Sequence, residues 1–228
     1  MTDSAMQWVE REPIGSERID QVWVRGWLHL PAGERKPYGL VVAHGAGSDC
    51  DSPLLSAVAH TFADAGYPAL RIDLPYRQMK PKGPPIPGGS ARDREGLLRA
   101  AQVMREITPH VILGGHSYGG RQASMLAAEQ ADVAEMLLLL SYPLHPPRKR
   151  EQLRTAHFPN LRTPALFVHG TRDPFGSIDE MRMAIALIPA PVRLAAIEKA
   201  GHELGAQHAA VVFQETVVFQ ETVGTLAK

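Results

Sequence analysis

A single cysteine, Cys50, stands among 228 residues. It has no partner for an internal disulfide, so nothing asks for an oxidising compartment. Net charge is also absent: 24 Lys and Arg balance 24 Asp and Glu. Such a chain has no global field to draw it onto nucleic acid or anionic lipid, and neither is expected as a partner. Long apolar runs are missing too. The longest strongly apolar stretch, around residues 134–140, is far too short to cross a bilayer. The first eight residues show no basic segment leading into an apolar run, which predicts no signal peptide and a soluble, cytoplasmic protein. Neither G-x-G-x-x-G nor G-x-x-x-x-G-K-[ST] occurs, which argues against nucleotide binding. No H-x-H or H-E-x-x-H spacing points to a metal. No cofactor and no metal are therefore expected.

What is present reads as one globular unit. Apolar residues make up 44% and charged residues 21%, close to globular averages, which excludes wholesale disorder. The length predicts a single domain over residues 1–228, able to fold without disulfide or metal staples. Apolar runs at 40–43, 69–72, 111–113, 136–140, 165–168 and 192–197 read as strands. Most are apolar at consecutive positions, as in a parallel sheet covered on both faces. Ahead of them, residues 21–24 and 26–30 alternate and predict an antiparallel hairpin at one edge.

Helices alternate with these runs. Ser52-Pro53 supplies a capping hydroxyl and a proline at the first helical position, with Leu54, Leu55, Val58 and Phe62 at helical spacing and Gly66 as the stop. Ser90 with Asp93, and Ser177 with Glu180, both resemble capping boxes. Alternating strands and helices predict an α/β fold: a doubly wound, mostly parallel sheet with right-handed crossovers. Ligands bind such sheets at the carboxyl ends of the strands. The proline-rich stretch 81–89 reads as a loop. Residues 142–164 form another connection, with room for a short helix near 151–154 and none for a lid domain. Residues 211–216 repeat as 217–222; a six-residue step on a helix puts the two copies on different faces.

The chemistry gathers in the turns. Gly115-His116-Ser117-Tyr118-Gly119 fits G-x-S-x-G between a strand and a helix, the context of a nucleophile elbow. A serine on so tight a turn takes strained dihedrals, and flanking glycines let neighbouring backbone pass. A hydroxyl nucleophile needs a base, and the base an orienting group. Asp173 lies just beyond the strand at 165–168, and His202 in the loop after the strand at 192–197. The expected triad is Ser117, His202 and Asp173, with Asp179, Glu180 and Glu203 as rival carboxylates. The oxyanion needs two preorganised donors. The expected pair is the backbone N–H of Tyr118 and that of Ala46, in the His44-Gly45-Ala46-Gly47-Ser48 loop. Histidines 44, 116, 169 and 202 all fall near strand tips, but each has a turn explanation. Cys50 has no motif that makes it a nucleophile and reads as an inert small side chain. Arg148, Lys149, Arg150 and Arg154 read as a solvated basic face, or as an attraction for an anionic substrate.

The order of His44-Gly45, Ser117, Asp173 and His202 resembles the α/β-hydrolase superfamily over nearly the whole chain. Residues 43–47, 71–77, 141–147 and 170–176 are similar to a dienelactone-hydrolase-like branch, and to the hydrolase-like domain of a subunit of the NSL chromatin complex. The resemblance implies a small hydrolase. It departs at the elbow, where dienelactone hydrolases use cysteine and this chain has Ser117. The reading that follows is a serine hydrolase of carboxylic esters or thioesters with small acyl groups, working through an acyl-enzyme in an open site. Its expected partner is a small-molecule ester, and its expected assembly a monomer or homodimer. The alternative from another class is a non-catalytic interaction module on the same fold.

Overall fold

The computed structural model describes residues 8–12, 16–21 and 23–226. Among these, nine strands form one sheet: β1 (Trp8–Glu12), β2 (Ser16–Gln21), β3 (Val24–His29), β4 (Tyr38–Ala43), β5 (Ala69–Asp73), β6 (His110–His116), β7 (Met136–Leu140), β8 (Ala165–Gly170) and β9 (Val192–Ile197). The spatial order is β1-β2-β3-β5-β4-β6-β7-β8-β9. The first three strands meet their neighbours antiparallel, β3 against β5 included, and every later pair is parallel.

Among the described residues, six α-helices cover the sheet: α1 (Pro53–Asp64), α2 (Pro75–Met79), α3 (Ser90–Arg105), α4 (Tyr118–Glu129), α5 (Ile178–Ile185) and α6 (Ala209–Leu226). The core has two layers. Val41, Leu113, Leu137 and Leu139 pack on one face with Leu97 and Met104 of α3, Leu126 of α4 and Met181 of α5. Leu40, Val42, Ile112 and Leu138 pack on the other with Leu55 and Phe62 of α1 and Val212 of α6. Consecutive positions of one strand thus serve opposite layers, which is why these strands are apolar throughout rather than alternating.

Local signals hold in part. Ser52 caps α1, its hydroxyl accepting the Leu55 N–H at 3.3 Å, and Ser177 with Glu180 forms a complete capping box on α5. In α6 the repeated hexapeptides do face different ways: Val212 is buried and its counterpart Val218 exposed. Three expectations are corrected. The expected antiparallel hairpin is present near one edge, but its strands are β2 and β3 rather than residues 21–24 and 26–30, with Gln21 opposite Val24, Trp23 at φ +67° in the turn and β1 as the outermost strand. Ser16–Gln21 is so polar that its period-two signal is weak, and the apolar pair around Trp23 draws the reading too far along the chain. Ser90 and Asp93 do not form a capping box. Gly89 occupies the cap position, the Ser90 hydroxyl donates to Gln122 at 2.8 Å, and Asp93 is committed elsewhere. Residues 151–154 form a turn and no helix.

Candidate active site

The site lies at the carboxyl ends of β4, β6, β8 and β9, where a doubly wound sheet opens between its crossovers. Ser117 sits between β6 and α4 at φ 50°, ψ −111°. That conformation is uncommon for a residue with a Cβ. It is enforced from both sides. The Ser117 amide donates to the Leu140 carbonyl at 2.8 Å, and a Cβ on either Gly115 or Gly119 would strike the Ala43 carbonyl oxygen.

The structure brings the three sequence-predicted side chains into one chain of hydrogen bonds. His202 Nε2 lies 2.8 Å from Ser117 Oγ, and His202 Nδ1 lies 2.8 Å from Asp173 Oδ2. Asp173 also accepts the Phe175 amide on Oδ1 at 2.8 Å, which fixes the carboxylate plane. A carboxylate only accepts, so His202 carries its proton on Nδ1 and presents the Nε2 lone pair to the serine. The imidazole is held between two rings: Phe175 with centroids 4.1 Å apart, and His116 at 5.2 Å. His116 Nε2 donates to the His202 carbonyl at 2.8 Å and so anchors the loop that carries it.

The remaining strand-tip histidines hold backbone in place. His169 Nε2 donates to the Gly176 carbonyl at 2.8 Å and ties the turn that bears Asp173. Burial lowers the pKa of His44, His116 and His169. The 3.7 Å approach of His169 to Asp173 is therefore a contact with a neutral ring rather than an ion pair. Among the described residues no group of three or more His, Cys, Asp or Glu is placed to hold a metal. The rival carboxylates are occupied elsewhere: Asp179 pairs with Arg182 and Glu180 caps α5. Glu203 lines the cavity without bonding His202. Cys50 is buried, and burial, ahead of the charges of Asp73 and Asp51, pushes its thiol pKa up, away from a reactive thiolate.

The loop after β4 is pinned by its carbonyls. His44 Nε2 accepts the Leu74 amide at 3.1 Å, so its Nδ1 carries the proton and donates to the Gly45 carbonyl at 2.8 Å. The Tyr76 hydroxyl lies 3.2 Å from the Gly45 carbonyl and 2.9 Å from that of Ala46. Arg77 donates to the carbonyls of Ser48 at 2.7 Å and Ala46 at 3.2 Å. Among the described residues the amides of Ala46 and Tyr118 meet no protein acceptor, and both residues border the cavity with Ser117. Asp93, fully buried on α3, joins the two sides of this arrangement. Its carboxylate accepts the Tyr76 amide at 3.0 Å and the Tyr118 hydroxyl at 2.7 Å. Burial raises the pKa of Asp93, and raises that of Tyr76 to about 12.

The cavity over Ser117 has a volume of about 710 Å³. Pro85 from the proline-rich loop, Pro143, Phe175, Arg121 and Arg154 complete its wall. Of the basic run, only Arg154 lines it; Arg150 turns to Glu180 at 3.3 Å. Sequence reasoning missed Arg121, although its position one helical turn beyond Ser117 places it near the elbow. It also missed Tyr76, Arg77 and Asp93, whose roles depend on long-range packing.

Comparisons with known proteins agree with this architecture. ABHD14B of Pongo abelii, named for a proposed protein-lysine deacylase activity, is 26% identical over 166 residues, covering 70% of this chain and 76% of its own. The dienelactone hydrolase structure from Anabaena variabilis superposes with a TM-score of 0.64 at 24% identity, over 94% of this chain and 95% of that one. TT1662 from Thermus thermophilus gives 0.71 at 19% identity, over 91% and 98%. Among the described residues no helix is long and apolar enough to cross a membrane. The alpha/beta hydrolase domain matches residues 36–225, which take in every side chain of the site, and the chain belongs to that family.

Proposed function

We propose that the protein is a serine hydrolase of carboxylic esters or thioesters with small acyl groups. The observation that carries this reading is the pair of 2.8 Å hydrogen bonds on His202, one to Ser117 and one to Asp173. As Ser117 Oγ attacks the acyl carbon, its proton passes to His202 Nε2. Asp173 stays ionised and stabilises the imidazolium. The carbonyl oxygen takes up the electron pair and is met by the Ala46 and Tyr118 amides, with the N-terminus of α4 behind them. Collapse re-forms the carbonyl and breaks the bond to the alcohol or thiol, which leaves with the His202 proton. Water then gives a proton to His202 and its oxygen to the acyl carbon. The acid departs and Ser117 regains its proton.

The preference for small acyl groups follows from the wall. A long alkyl chain laid against Arg121 and Arg154 would desolvate their charges without compensation. Fluorophosphonate labelling tests the reading. Wild type should be labelled and Ser117→Ala should not, and p-nitrophenyl acetate should turn over faster than the palmitate ester. A folded wild type that takes no label supports an interaction module instead.

A further inference from the structure

Among the described residues, two guanidinium groups on the cavity wall have no carboxylate to answer them. Arg121 follows Ser117 by four residues, about 6 Å along α4. Arg154 enters from the connection between β7 and β8. Several arginines elsewhere in the molecule do have a carboxylate: Arg25 pairs with Asp73, Arg94 with Glu129, Arg105 with Glu135 and Arg193 with Glu215, all within about 3 Å. Among the described residues Arg121 and Arg154 make no ion pair, with Glu203 or any other carboxylate. Arg154 reaches only the Pro143 carbonyl, at 3.3 Å, and the Arg121 Nε atom is buried without an acceptor.

The pair is built rather than incidental. The Arg154 backbone is fixed on both sides, its amide donating to Leu144 at 2.8 Å and its carbonyl accepting the Tyr142 hydroxyl at 2.7 Å. Burial, and then the nearby Arg121 charge, weaken the hold of Arg154 on its proton. Two like charges held close in a partly dry wall are unfavourable until an anion lies between them. A planar or tetrahedral oxyanion matches the forked donors of guanidinium groups.

We propose that Arg121 and Arg154 clamp an anionic group of the substrate, a carboxylate or a phosphate, a few bonds from the carbonyl that Ser117 attacks. The preferred substrate is then a negatively charged ester or thioester rather than a neutral one. This inference rests on the hydrolase reading and narrows its substrate class.

Two matched substrate pairs test it. One is the p-nitrophenyl ester of glutaric acid against the same ester with its free carboxylate methylated. The other is p-nitrophenyl 4-phosphonobutanoate against its dimethyl phosphonate. Uncatalysed hydrolysis is subtracted throughout. Wild type should prefer the charged member of at least one pair in kcat/KM by roughly tenfold to hundredfold, the scale of a charge-assisted hydrogen bond. The pair that shows it distinguishes carboxylate from phosphate. Arg121→Gln/Arg154→Gln should lose most of that preference; Arg154→Gln alone, should the double variant not fold, should lose part of it. A fluorophosphonate-labelled wild type without preference, or a preference that survives in the variants, overturns the proposal. Where a folded wild type takes no label, the hydrolase reading fails separately. Calorimetric titration with glutarate and with inorganic phosphate then decides. Binding weakened about tenfold or more by the substitutions sustains the clamp, and equal or absent binding overturns it.

Discussion

The Asp93 carboxylate accepts the Tyr118 hydroxyl at 2.7 Å from a position 25 residues earlier in the chain. Its other oxygen holds the amide of Tyr76, whose hydroxyl faces the carbonyls of Gly45 and Ala46. One buried charge therefore positions both sides of the proposed oxyanion site. Asp93→Asn replaces an acceptor oxygen with an amide donor and leaves one of these donors unsatisfied, at a cost of about 1–3 kcal/mol. The expected outcome is a Tm lower by several degrees and a kcat down about tenfold with KM little changed. A loss confined to Tm, with kcat intact in the folded fraction, would leave Asp93 a purely structural residue.

Asp173 is expected to matter far more for rate than for folding. Asp173→Asn keeps the shape but favours the wrong His202 tautomer, with the proton on Nε2 facing Ser117. The kcat/KM for p-nitrophenyl acetate should fall about 10³–10⁴-fold, as in a triad deprived of its carboxylate. A loss below tenfold would mean that another group orients the imidazole.

The elbow strain at Ser117 has a thermodynamic signature. At φ 50° and ψ −111° a Cβ is unfavourable and glycine is not. Ser117→Gly and Ser117→Ala both remove the hydroxyl. Ser117→Gly should nevertheless melt higher, by about 1 kcal/mol of stability. Equal melting of the two variants would show that the turn is relaxed.

Buried histidines predict a specific acid sensitivity. Burial, followed by the charges of Arg71 and His60, lowers the His29 pKa to about 3. Burial, followed by Arg121 and Arg94, lowers that of His157 to about 4. In the unfolded chain both titrate near pH ~6.5. Between the two values the unfolded state binds more protons, so stability there rises with pH. The contribution is complete above about pH 6.5 and lost as the pH falls toward the folded pKa values. Thermal melts should show Tm dropping between pH ~6.5 and ~4, and His157→Gln should flatten the slope. A slope that His157→Gln leaves unchanged would count against this assignment.

The sequence made some parts of the site legible and hid others. Ser117, Asp173 and His202 each lie just past a strand, with glycine or proline marking the turn, and local chemistry is enough to single them out. Their convergence follows from parallel strands ending at one edge. Arg121 and Asp93 offer no such marker. Arg121 looks like any helix arginine until the wall opposite it is known, and the Ser90–Asp93 spacing imitates a cap. In the fold the Asp93 carboxylate instead serves buried donors from Tyr76 and Tyr118, while Gly89 takes the cap position. The edge hairpin was displaced for a related reason. Of β2, Ile19 is deeply buried and the flanking residues are polar, so its pattern is faint.

The central claim is that acyl groups pass through the Ser117 oxygen. Acid-quenched mixtures of the protein with p-nitrophenyl acetate, taken in the first turnovers and read by intact and peptide mass spectrometry, test it most directly. The account predicts a single acetyl group on the peptide holding Ser117, absent from Ser117→Ala and diminished in His202→Ala. Turnover with no acyl group on that serine, or with the acyl group on Cys50, would contradict it.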